Sequence, residues 1–225
     1  IATAQAGGGS GALRIGAEIL KSAAPDITVW ASTPTWANHI PLISSAGLKM
    51  DYYPYYNRET LGVDFHDMLD HLRDKAKPGD VVLLHGCCHN PTGADLTPAQ
   101  WDILAEFLNN ESLIPFVDLA YFGLGQGMKE DVYGLRKILE ICPEALVAAS
   151  CSKNFGLYRE RVGLIVVVAN DAETAKIAQS QLGSIQRKII SMPPDHGAAL
   201  VARILGDKSL RKMWIDELDE MRTRM

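Results

Sequence analysis

Short runs of β-branched and aliphatic residues alternate along the whole chain with longer stretches whose apolar positions recur at helical spacing. Strand-like runs cover residues 1–5, 27–31, 48–53, 80–85, 113–117, 146–150 and 162–168. Helical patterns follow the glycines at 7–11 as far as about residue 21. They recur at 34–45, 64–75, 97–109, 130–140, 172–188 and 196–205, and from 208 onward. Thr97-Pro98 is a helix start with proline at the first helical position, and Pro78-Gly79 is a turn. Strands alternating with helices predict an α/β fold with a mainly parallel sheet. Such sheets bind ligands beyond the carboxyl ends of their strands. Four polar, glycine-flanked clusters fall at those ends, at 7–11, 85–93, 118–121 and 150–161.

Composition narrows the partners. The 225 residues suffice for one large domain or at most two small ones. At 47% hydrophobic and 22% charged, the chain is neither disordered nor low in complexity. A net charge of −5 gives no electrostatic footprint for nucleic acid or an anionic membrane surface. The longest aliphatic run, at 164–169, falls far short of the roughly 20 residues of a membrane helix. Four cysteines are too few for a disulfide scaffold, so a reducing compartment is expected. The sequence opens on Ile1 and runs out at Met225 within a helical pattern, as expected for a piece of a longer protein.

Each cluster has a chemical reading. Gly7-Gly8-Gly9-Ser10-Gly11-Ala12 joins a strand to a helix, where glycines admit an anion close to the backbone and the helix N-terminus supplies N–H donors. A tight turn accounts for the same residues. The run also fits a loose dinucleotide pattern. That pattern needs an acidic residue ending the next strand, but Asp26 precedes the strand and Ser32-Thr33-Pro34 end it, which disfavours a nicotinamide cofactor. His85-Gly86-Cys87-Cys88-His89 is rich in metal ligands. Adjacent cysteines do not readily place both sulfurs on one tetrahedral ion and no second pair follows, so no metal is expected. Cys151 reads as a small, semi-buried residue. Asp118 ends an apolar strand, where a carboxylate needs solvent or a partner. Lys153 sits among serines after another strand, and Arg161, suited to phosphate, precedes the next. Together, an anion cradle, a buried acid, a lysine and an arginine suit pyridoxal 5'-phosphate. Lys153 would form the Schiff base, and Asp118 would keep the pyridine nitrogen protonated.

With these residues in hand, the chain resembles the aspartate aminotransferase family, which includes the aromatic-amino-acid aminotransferases. The resemblance rests on Gly8 to Arg14, Pro34-Thr35-Trp36-Ala37-Asn38-His39, His85 to Gly93, Asp118-Leu119-Ala120-Tyr121, and Ser150 to Gly163, in that order over essentially the whole chain. It implies a three-layer α/β/α domain with a mainly parallel seven-stranded sheet. It implies that residues 1–206 form the cofactor-binding large domain and that 207–225 open the helix leading to a small domain. In site terms it implies that Lys153 carries the cofactor and then shifts the proton at the substrate Cα. Asp118 would pair with the pyridinium, supported by His39. Asn90 and Tyr121 would bond the phenolic oxygen, and Trp36 would stack on the ring. Gly9, Ser10, Ser150, Ser152 and Arg161 would hold the phosphate.

The substrates implied are an L-amino acid and a 2-oxo acid, with Trp36, Asn90 and Arg187 on the substrate side. Arg187 alone reads as a helix-end arginine favoured by the dipole. The resemblance aligns it with an arginine that reaches across a homodimer to a distal carboxylate. It therefore favours aspartate with 2-oxoglutarate, leaving aromatic amino acids as the alternative. A cofactor-binding piece that does not turn over substrate is a further alternative, because the arginine that grips the α-carboxylate lies in the small domain. The resemblance implies a cytoplasmic protein, with the mitochondrial matrix as the other setting.

Overall fold

The computed structural model describes residues 1–225. The strands are β1 (Ala2–Gly7), β2 (Thr28–Thr33), β3 (Lys49–Pro54), β4 (Tyr56–Asn57), β5 (Gly62–Val63), β6 (Val81–His85), β7 (Ile114–Leu119), β8 (Ala145–Ser150) and β9 (Val162–Val168). The helices are α1 (Gly8–Ala23), α2 (His39–Ser44), α3 (Phe65–Lys75), α4 (Pro98–Asn110), α5 (Tyr133–Ile141), α6 (Ala172–Ile189), α7 (His196–Gly206) and α8 (Lys208–Arg224). Seven strands form one sheet in the order β1-β9-β8-β7-β6-β2-β3, and β4 and β5 form a separate hairpin. All sheet neighbours are parallel except β9, which runs antiparallel to both β1 and β8.

Side-chain alternation along the strands sorts the core into two layers. Val29, Ala31, Val81, Leu83 and Phe116 face one way, against Leu13 and Ile15 of α1, Ile43 of α2 and Leu182 of α6. Trp30, Val82 and Leu84 face the other way, against Met68 and Leu72 of α3, Leu104 and Leu108 of α4 and Ile138 of α5. The result is a three-layer α/β/α architecture, as the resemblance implied, around the mainly parallel sheet expected from the alternating pattern. Local chemistry sets several boundaries. At the start of α4, the Thr97 side chain accepts from Gln100 N–H and the Gln100 side chain accepts from Thr97 N–H, with Pro98 in the first turn. The open edge of β1 is covered by α6. Gln179 both accepts from Thr3 N–H (2.8 Å) and donates to Thr3 C=O (2.9 Å), and Gln186 donates to Gln5 C=O (2.7 Å).

Four local expectations are corrected. Residues 34–38 are not helical, and α2 begins only at His39, because Thr35 and Trp36 are turned toward the strand ends rather than along a helix face. The glycines expected as a turn at 8–11 form the first turn of α1 itself. Helix α5 begins at Tyr133 rather than at residue 130. Asp131 is buried and its carboxylate accepts the N–H groups of Gly123, Gly125, Gln126 and Gly127, holding that stretch as a folded loop. Asp118 lies within β7, which continues to Leu119, rather than just past its end. The β4–β5 hairpin was not anticipated, since two-residue strands leave no periodicity to read.

Candidate active site

The sheet delivers the polar clusters to one edge. Register pairs His85 of β6 with Asp118 of β7, at the carboxyl ends of both strands. Ser150 ends β8 and pairs with Gly163 of β9. Because β9 is antiparallel, it starts where its neighbours finish, so Arg161 reaches the same edge from the opposite chain direction. A cavity of about 360 Å³ opens there, and Gly9, Ser10, Trp36, Asn90, Asp118, Tyr121, Ser150, Ser152, Lys153 and Arg161 all line it. The structure thus brings together every residue expected to hold the cofactor.

At one end of the cavity lies an anion cradle. Arg161 has φ +54°, and its guanidinium donates to Tyr158 C=O (2.8 Å) and Gly7 C=O (3.2 Å). It thereby lies across the N-terminus of α1. Glycine is required beneath it, since Gly8 has φ +73° and a Cβ there would fall 2.4 Å from Arg161 Nη2. A Cβ on Gly163 would fall 2.4 Å from the Gly8 backbone, so the approach of β9 to β1 also depends on glycine. The first turn of α1, the guanidinium and the hydroxyls of Ser10, Ser150 and Ser152 supply donors with positive potential around one point.

At the other end is a buried carboxylate. Asp118 is 6% exposed, and its Oδ2 lies 3.0 Å from Nε2 of His39, which is fully buried. The chain of contacts continues from His39 Nδ1 to Thr35 Oγ1 (2.8 Å) and from Thr35 Oγ1 to His85 Nε2 (3.2 Å). His85 faces His89 at 4.2 Å between ring centroids. His89 is held by Ser32 Oγ (2.9 Å) and Thr92 Oγ1 (2.8 Å), and its ring stacks on Tyr55. Burial, reinforced by the neighbouring imidazoles, pushes the His85 pKa down to about 2 and that of His89 to about 4. Both are therefore neutral near pH 7, and the hydroxyls between them accept or donate as each tautomer requires.

Between the two ends sits the amine. Lys153 Nζ lies 4.7 Å from the centroid of the Tyr121 ring, over its face. Burial lowers the Lys153 pKa, the Asp118 carboxylate opposes that shift, and the Arg161 cation adds to it. The Tyr121 phenol is pushed up, chiefly by burial, and accepts from Asn90 Nδ2 at 3.3 Å. Trp36 forms part of the wall, edge-on to His39 at 5.3 Å. Chemically, such an arrangement can hold an anion at one end and accept a hydrogen bond from a protonated aromatic nitrogen at the other, with a primary amine in the same cavity.

Arg187 is not brought into this cavity. It lies exposed on the last turn of α6, where its Nη1 donates to Ser191 Oγ at 2.8 Å. Sequence reasoning gave no role to Thr35, His85, His89 or Tyr158. The first three build the network behind Asp118, and Tyr158 lines the cavity mouth. The only sequence signal for His85 was its place at the end of an apolar strand; that this strand lies beside the one carrying Asp118 comes from the sheet order.

Comparison with known proteins places this geometry. The family model described as "Aminotransferase class I and II" matches residues 1–225. The chain belongs to that family. It is 49% identical to an aromatic-amino-acid aminotransferase of Escherichia coli over 226 aligned residues, covering all of this chain and 56% of the relative. It is 48% identical to an aspartate aminotransferase of Haemophilus influenzae, covering 99% of this chain and 56% of the relative. Among solved structures it superposes with a TM-score of 0.96 on an aromatic-amino-acid aminotransferase from Burkholderia pseudomallei described as covalently bound to pyridoxal phosphate. That pair shares 43% identity and covers 99% of this chain and 56% of the other. The chain therefore spans just over half the length of these aminotransferases. Its fold is that of the family, as the resemblance implied.

Proposed function

We propose that this chain is the cofactor-binding part of a pyridoxal-phosphate-dependent aminotransferase that moves an amino group between an L-amino acid and a 2-oxo acid. The observation that carries the reading is the single cavity in which Lys153, Asp118 and Arg161 converge. The donor set fits the cofactor. Two cations and one carboxylate line the cavity, and the cradle under Arg161 admits no Cβ at Gly8. When bound, pyridoxal phosphate supplies an electron sink for the charge that develops at the substrate Cα.

The chain's own residues supply the rest. Arg161, Ser10, Ser150, Ser152 and the Gly9 end of α1 hold the phosphate. Asp118, steadied by His39, accepts the hydrogen bond of the ring N–H and so holds a proton at that atom. Asn90 and Tyr121 would hydrogen-bond the phenolic oxygen, and Trp36 would cover the ring and exclude water. Lys153 Nζ would hold the cofactor's aldehyde carbon and, once free, would take up the proton from the substrate Cα. Its lowered pKa enlarges the neutral fraction that such a step needs.

Aspartate with 2-oxoglutarate is the favoured substrate pair, with Arg187 serving the distal carboxylate in the site of a partner subunit. Aromatic amino acids are the alternative, since the relatives carry both names. In the same reading, residues 1–206 are the large domain and 207–225 lead toward a small one, so the 225 residues alone bind the cofactor with little turnover. All four cysteines are free, in keeping with a cytoplasmic or matrix setting, and no helix is long and apolar enough to cross a membrane.

The test is borohydride reduction in the presence of pyridoxal phosphate, followed by peptide mass spectrometry. The expected result is one reduced adduct on Lys153, lost in Lys153→Ala. An adduct spread over surface lysines, or none, overturns the reading. Amino-group transfer from aspartate against phenylalanine then separates the two substrate classes.

A further inference from the structure

Helix α8 is polar along most of its length and buries only Leu218, yet it makes specific contacts with both loops that frame Lys153. Trp214, Leu218 and Arg222 recur at a spacing of four and so lie on one stripe of the helix, about 12 Å from end to end. At the first position, Trp214 Nε1 donates to Asn154 C=O at 2.7 Å, and its ring stacks on Phe155 with centroids 4.3 Å apart and planes 12° from parallel. These are the two residues that follow Lys153. Asn154 is itself buried, and its backbone C=O takes the hydrogen bond of Trp214, so this buried acceptor depends on α8. At the second position, Leu218 is fully buried against Gly123, where a Cβ would fall 2.4 Å from Leu218 Cδ2. At the third, Arg222 Nη1 donates to Gly123 C=O at 3.1 Å. Gly123 belongs to the loop that begins at Tyr121, and Asp131 accepts the Gly123 N–H on its inner side.

We propose that α8 is a positioning clamp for the site amine. Trp214 fixes the Lys153 loop, Leu218 and Arg222 fix the Tyr121 loop, and the one rigid helix between them sets the separation of Lys153 Nζ from the Tyr121 ring. The inference rests on the reading of Lys153 as the site lysine. It adds that α8 residues outside the cavity govern how that amine is presented. Trp214, Leu218 and Arg222 are positioning residues, since none of them lines the cavity.

The test follows the Lys153 amine directly, in the chain without cofactor. Lysines are labelled by reductive methylation with [13C]formaldehyde, and the Lys153 resonance is assigned by its absence in Lys153→Arg and titrated with pH. The charged and titratable groups facing that amine are Asp118, Tyr121 and Arg161. Trp214→Phe keeps the stack on Phe155 and removes the donor to Asn154. Leu218→Ala opens the contact with Gly123. Both are expected to let the loops part and solvent reach the amine, moving its pKa upward toward the ordinary value.

Gln179→Ala, which frees the β1 edge without touching either loop, is the control for general destabilisation. It is expected to lower Tm and leave the Lys153 titration in place. The clamp is overturned if Trp214→Phe and Leu218→Ala titrate like the unsubstituted chain, or if Gln179→Ala shifts Lys153 as much as they do. If Leu218→Ala does not fold, Arg222→Gln tests the same loop by removing the guanidinium bond to Gly123 C=O, together with the pair to Asp219 within α8 itself, with the same expected direction. Failure of the unsubstituted chain to take a borohydride-reduced adduct would sink the cofactor reading instead. It would leave this titration measurable, so the two failures are distinguishable.

Discussion

Lys153 is set between opposing charges, and this gives its behaviour a sign that can be checked. Burial and Arg161 disfavour its protonated form, whereas Asp118 favours it. Replacing Asp118 with Asn removes the favourable charge, so the Lys153 pKa falls further. Replacing Arg161 with Gln removes the unfavourable one, so it rises. The expected outcome is two shifts of opposite direction in the methyl-lysine titration, and equal shifts would contradict the charge assignment. A lysine whose folded pKa lies below its ordinary value binds fewer protons in the folded state. Between those two values stability therefore rises with pH, and below both the penalty is fully present. Lys153 thus opposes folding at neutral pH, which is the expected cost of a reactive amine held in a site.

At the level of elements, the antiparallel strand β9 is what turns an ordinary parallel sheet edge into a two-sided site. Its first residues must pass close under α1, and Gly163 is the residue that permits this. Gly163→Ala is expected to destabilise the chain by about 1–3 kcal/mol through overpacking against Gly8. Because Gly8 underlies Arg161, the same substitution is expected to weaken inorganic phosphate binding. Denaturant unfolding and a phosphate titration followed by tryptophan fluorescence check both parts. A variant with unchanged stability and unchanged phosphate affinity would show that β9 has freedom to move away from β1. The anion cradle was readable in the glycine run and in Arg161. The helical start at Gly8 was not, because four small residues with glycine among them read as a turn until the tertiary contact with β9 places them.

Across the whole molecule, the buried imidazoles make acid sensitivity a property of the fold. His85 and His89 titrate near 6.5 when exposed, and their folded values fall to about 2 and about 4. Below about pH 6.5 the unfolded chain takes up protons that the folded chain refuses, so stability is full above that value and is lost as pH falls toward the folded values. The urea midpoint is expected to drop between about pH 7 and about pH 5, and His89→Gln is expected to flatten that decline. An unchanged slope in His89→Gln would mean that His89 is not held neutral by burial. This network was only half legible in the sequence. His39 could be tied to Asp118 through resemblance. His85, Thr35 and His89 could not, because their meeting depends on which strands become neighbours.

Local chemistry was enough to determine the alternation of strands and helices, the Thr97-Pro98 helix start and the identity of Lys153, Asp118 and Arg161 as the groups to watch. Those are properties of near neighbours: side-chain period, capping hydrogen bonds, and the cost of an unpaired charge at the end of an apolar run. Tertiary structure alone decided the rest. The order of strands put His85 beside Asp118, and the reversed direction of β9 carried Arg161 to the same edge as Ser150. Packing of α8 placed Trp214 on the backbone next to Lys153 across sixty residues of chain. Contacts of that range depend on how whole elements bury their apolar faces against one another, and no local pattern encodes that choice.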